Sequence, residues 1–210
     1  MKTDVISIYG DLHGQSAAMQ EAEHFTEYLH LTGKNAMHIR LLTEEAVSLV
    51  HGIIPDFKGN FWLESEQTDN GLLCRICVSA DANVSEGQEE QLLAVSTSGK
   101  NEDAKGIMGK IRQLFRWSIQ QADAEAFAQS TAGTSWFEMG CYGSHINTSA
   151  ALDYYWSLSN YRSKVEDNPQ TGGEERDELE KSIVAKLSDE VKVGIRSGKA
   201  EVMIEKYISN

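Results

Sequence analysis

Apolar positions recur along this chain with two different periods, and the switches between them mark out its elements. Over residues 4–9, Val5, Ile6, Ile8 and Tyr9 favour extended backbone and only Ser7 is polar, which predicts a short strand covered on both faces. Residues 10–14 read as a turn, with Asp11 capping and Gly14 allowing a tight bend. From 15 to 31 the spacing lengthens to that of a helix, with Ala18, Ala22, Phe25 and Leu29 on one side, and Gly33 supplies a glycine stop. Asn35 is the expected N-cap of a second helix. Through residues 39–51 that helix repeats Ile39, Leu42, Ala46, Leu49 and Val50 as one broad apolar face, closed by Gly52 and Pro55. Glu44 and Glu45 interrupt the pattern midway. Glu45 falls three residues after Leu42 and four before Leu49, on the edge of the apolar face, where a carboxylate is costly to desolvate without a partner.

Period two returns over residues 60–67 and 72–79, and Asn70-Gly71 between them predicts a hairpin. Residues 85–94 read as a helix with Ser85 and Gln88 as its capping box. A small, polar, glycine-containing stretch follows, and then a helix over 107–129 with Ile111, Leu114, Phe115 and Ile119 inward. Residues 130–148 lose both periods and read as an ordered loop, since Trp136, Phe137 and Tyr142 are poor residues for a disordered linker. A helix over 150–165 turns Leu152, Tyr155, Trp156 and Leu158 inward. After the loop at 168–173, an amphipathic helix with an acidic first turn spans 174–187. A closing hairpin alternates Val191, Val193 and Ile195, turns at Ser197-Gly198, and resumes at Val202 and Ile204. Strand, two helices, hairpin, helix, glycine-containing segment, helices and hairpin predict an α+β fold. The expected form is a two-layer sandwich, a mixed but mostly antiparallel sheet covered by helices on one face, in a single domain over 1–210.

The bulk properties narrow the partners. A formal charge of −13 over 210 residues excludes non-specific attraction to nucleic acid or to an anionic membrane surface. There is no basic leader and no apolar run of membrane-spanning length, and three cysteines, an odd number, read as free thiols. The expectation is a cytoplasmic protein. Cys74-Arg75-Ile76-Cys77 is spaced like a metal or redox pair, but three positions apart on a strand the two sulfurs face opposite sides. No metal-ligating set is assigned.

Two further stretches carry chemistry in principle. Gly10-Asp11-Leu12-His13-Gly14 follows a strand, as the first metal motif of calcineurin-like phosphoesterases does, yet no later Gly-Asn-His or Asp-Arg-Gly stretch supplies the other ligands of a two-metal site. Ser96 to Asn101, with Lys105-Gly106-Ile107-Met108-Gly109-Lys110 opening a helix, offers glycines and hydroxyls before a helix N-terminus, which suits a phosphate group although the P-loop pattern is absent.

In their order along the chain, these pieces resemble the GHKL superfamily, the histidine-kinase-like ATPase fold, and within it the small anti-sigma-factor serine kinases. The likeness covers residues 4–116 and the closing hairpin; residues 117–188 read as an inserted helical segment. Three motif positions carry over. The family's helix motif has a Glu that activates water or substrate and, four residues on, an Asn that holds magnesium. Glu45 takes the first position as the implied catalytic residue, and Leu49 stands where the Asn belongs. The other register, Glu44 with Ser48, keeps a polar side chain but fits the family context less well. The family's Asp-x-Gly-x-Gly, whose Asp reads the adenine amino group, is matched by Asp81 with Asn83 in place of the first glycine. The glycine-rich lid end is matched by Lys105, Gly106 and Gly109. An apolar Leu49 cannot ligate magnesium. The resemblance therefore implies a regulatory protein with a degenerate ATP site, which binds ATP or ADP weakly or not at all and acts through a protein partner, with a homodimer left open. An active magnesium-dependent ATPase or kinase is the alternative, and a phosphoesterase using Asp11 and His13 a more remote one.

Overall fold

The structure, a computed structural model, describes residues 1–10, 12–54, 57–81, 107, 110, 111, 155–167, 173–196 and 199–209. Its elements in chain order are β1 (Ile6–Tyr9), α1 (Leu12–Tyr28), α2 (Gly33–Ile53), β2 (Lys58–Thr68), β3 (Gly71–Asp81), β4 (Tyr155–Ser157), α3 (Leu158–Asp167), α4 (Gly173–Lys181), α5 (Ile183–Leu187), β5 (Glu190–Arg196) and β6 (Lys199–Ser209). The six strands form one sheet in the order β1-β2-β3-β6-β5-β4. Every adjacent pair is antiparallel. The α+β class holds and the sheet, expected to be mixed but mostly antiparallel, is antiparallel throughout among the described residues: the hairpins β2–β3 and β5–β6 meet along an antiparallel seam between β3 and β6.

Strand alternation sorts the side chains into two faces. Phe61 and Leu63 of β2, Ile76 and Val78 of β3, Val202 and Ile204 of β6, and Val191 and Val193 of β5 point to one side and form the main core. Their register is exact across the sheet, with Phe61 opposite Val78 and Val78 opposite Val202. Buried apolar side chains of α1, α2, α3 and α5 join this same core, among them Phe25, Ile39, Leu158, Val165 and Val184, and the partly buried Leu179 of α4 packs against it. The helices thus collect on one face. Along that layer α1 lies over β1 and β2, α2 over β3 and β6, and α5 over β5.

The second face carries a small cluster of Trp62, Cys77 and Met203 beside a ladder of charges. Lys2 sits 4.8 Å over the Trp62 ring and 3.3 Å from Glu64, which also accepts from Trp62 Nε1 at 2.8 Å. Arg75 reaches Glu66 at 2.8 Å and Glu205 at 3.3 Å, and Lys192 reaches Glu205 at 3.3 Å.

Several element ends differ from the sequence expectation, each for a local reason. The chain leaves α1 at His30, not at Gly33. His30 has φ of 53°, its N–H bonds Glu27 O at 3.0 Å, and Leu31 N–H bonds Thr26 O at 2.9 Å. That pair of bonds is a Schellman ending with a left-handed histidine where glycine is usual. Gly33 instead begins α2, whose N-cap is Thr32 in place of Asn35. Gly52 lies inside the last turn of α2, Ile54 caps it through a 2.8 Å bond to Val50 O, and Pro55 is outside the described residues. Gly14 is not at a bend but in the first turn of α1, where a Cβ would stand 2.1 Å from Tyr9 O. The helix thus approaches β1 more closely than any side chain would permit. The first hairpin turns on Asp69 and Asn70 with Thr68 opposite Gly71, and neither turn residue has a positive φ, so it is not the primed turn that Asn-Gly implies.

The segment expected to be an all-helical insertion contributes a strand. Tyr155–Ser157 pairs with β5, Trp156 opposite Val193, before α3 begins. Trp156 packs into the core against Tyr161, ring centroids 6.0 Å apart. The expected helix over 174–187 is two helices, because Ser182 caps α5 by accepting from Ala185 N at 3.2 Å. An Arg162 guanidinium bond to Ala185 O ties α3 to α5. The helix expected over 85–94 and the loop over 130–148 lie outside the described residues. Of the helix over 107–129, Ile107, Lys110 and Ile111 are helical, and both isoleucines are buried. Among the described residues no helix is long and apolar enough to cross a membrane.

Candidate functional site

Helix α2 positions the candidate carboxylate. Ile39, Leu42, Ala46, Val47, Leu49 and Val50 are all buried, so the helix is held on the sheet through most of its circumference. Its two flanks then differ. The flank toward α1 carries Thr43, fully buried, and Val47, and is rimmed by an Arg40–Glu23 ion pair at 2.8 Å. The opposite flank, on the α5 side of the layer, carries His38 and, two turns on, Glu45. At 100° per residue these two lie 20° apart around the axis.

Glu45 is half-buried, as its position at the edge of the apolar face predicts, whereas Glu44 and Ser48 are exposed. Burial raises the Glu45 carboxyl above its ordinary 4.5, and the neighbouring Glu44 charge raises it further. A neutral carboxyl is thereby favoured more at Glu45 than at a solvated glutamate. On the same flank, burial lowers the His38 imidazole, with Lys206 of β6 and Lys34 adding to the shift. Lys206 is itself held by Asp189, which accepts from its ammonium at 3.2 Å and from Tyr207 N–H at 2.6 Å.

Leu49, the residue that stops the resemblance from supplying a magnesium ligand, is 6 % exposed and belongs to the main core. Its side chain fills the sheet-facing side of α2. The alternative register puts Glu44 and Ser48 together on the solvent side of the same helix.

Asp81 is the last residue of β3, exposed, and in register with Lys58 of β2 and Lys199 of β6. The pleat that turns Ala80 into the core turns Asp81 to the second face, away from the layer that holds Glu45. Glu45 and Leu49 therefore share one helix, while Asp81 stands at a sheet end flanked by two lysine positions. Asn83, Lys105, Gly106 and Gly109 lie outside the described residues, as does Asp11. His13 is in the first turn of α1, and its side chain is not described.

The cysteine spacing resolves as alternation requires. Cys74 is in the main core and Cys77 on the second face, and burial pushes the Cys74 thiol up to about 11. A thiol so high is a poor nucleophile and a poor metal ligand at neutral pH. Among the described residues no group of three or more His, Cys, Asp or Glu side chains is placed to hold a metal ion.

The sequence reading missed His38 and Lys206 as neighbours of the Glu45 flank. The signal lay half in the helix period, which puts positions 38 and 45 on one side. The other half, the pairing that brings β6 beneath α2, leaves no local trace. Comparison of the chain with family models, with curated proteins and with solved structures returns no match.

Proposed function

We propose that this protein is a regulatory member of the GHKL-like type with a degenerate nucleotide site on the Glu45 flank of α2. It binds ATP or ADP weakly or not at all, without magnesium chemistry, and acts through contacts with a protein partner. The observation that carries this reading is the pair Glu45 and Leu49. Glu45, which the resemblance matches to the family's catalytic Glu, is a half-buried carboxyl with a raised pKa, and the next turn carries a core leucine, Leu49. A buried apolar side chain cannot supply the oxygen that magnesium requires. The order of elements supports the same reading: a strand, two helices and a hairpin, then a hairpin that returns beside the first. Asp81 does not share that flank, since its pleat turns it to the other face of the sheet, and its placement lends no support to adenine recognition there.

Calorimetric titration with ADP and with ATP, each with and without magnesium, tests it. The expected result is weak binding that magnesium does not strengthen. An absence of both heat and thermal shift at millimolar nucleotide would remove the nucleotide site and leave the partner role alone. Magnesium-dependent turnover that Glu45→Gln abolishes would replace this reading with an active ATPase or kinase of the same fold.

A further inference from the structure

We draw no further inference here: the strongest candidate, the cluster of Lys34 and His38 at the start of α2 with Lys206 of β6, rests on a helix N-terminus with no second observation that points to a ligand, and Lys206 is already engaged by Asp189.

Discussion

The two flanks of α2 put one helix under two different regimes. Toward α1 the transition from core to solvent is abrupt: Thr43 and Val47 are buried and the next side chain around, Arg40, is paired with Glu23 at the surface. Toward α5 the transition is gradual, and titratable groups occupy it. Glu45 and His38 are partly desolvated, and each is shifted in the direction that disfavours its charged form. Packing dominates the first flank, although the buried Thr43 hydroxyl has no hydrogen-bond partner among the described residues. The second holds a carboxyl and an imidazole whose charged forms partial burial disfavours.

Changes at four positions sharpen or break that contrast. Leu49→Asn has the largest expected effect, because it deletes core volume and buries an amide; a loss of about 3–5 kcal/mol in unfolding free energy is expected by denaturant titration. A loss below about 1 kcal/mol would mean that Leu49 faces the polar flank after all, and would reopen that position to a metal. His30→Gly acts where α1 hands over to α2. It relieves a left-handed non-glycine residue and should stabilise by about 0.5–1 kcal/mol, read as a rise in the denaturation midpoint. Destabilisation there would show that the His30 side chain contributes more than its backbone strain takes away.

Arg40→Ala tests the α1 flank. Both partners of its ion pair are about half exposed, so the loss should stay within about 0.5 kcal/mol and vanish at high salt. Glu45→Gln is the smallest and the most diagnostic. The folded state holds the Glu45 proton more tightly than the unfolded chain does. Its contribution is therefore present in full below the unfolded value and is lost as the pH rises through the folded one. The variant should melt slightly higher than the parent near pH 7, and the difference should close at about pH 3, where the unfolded carboxyl is also protonated. A difference independent of pH would mean that Glu45 acts through packing or hydrogen bonding and not through its charge.

Much of the core was readable from spacing. The α2 face from Ile39 to Val50 repeats over about three turns, long enough for the helical period to be unambiguous, and Glu45 at its edge is half-buried for that reason. Alternation likewise gave β2, β3, β5 and β6 to within a few residues. Tyr155–Ser157 could not be read this way, since three residues contain no alternation to count and their pairing partner, β5, lies about forty positions on. The helix break at Ser182 hid inside an amphipathic pattern because a cap needs only one hydroxyl and one residue turned to extended backbone. The site was legible only in part. Spacing located Glu45 and Leu49 on one helix, but the face to which Asp81 points depends on where β3 ends, and a strand end is the least local of its properties.

The seam between β3 and β6 has a consequence for assembly. Arg75 and Glu205, which meet across it, are 130 positions apart in sequence. Each hairpin can form from neighbouring residues, but their union must close a loop on the order of a hundred residues, an entropic penalty of about 4 kcal/mol or more. Because that penalty grows only with the logarithm of loop length, doubling the intervening chain would add just about 0.6 kcal/mol. Loop closure alone therefore sets little limit on insertions between the two hairpins, provided that β4 and the core side chains of α3 and α5 are kept, and the eleven-residue register of the seam, Gly71 opposite Ser209 through Asp81 opposite Lys199, fixes how the hairpins meet.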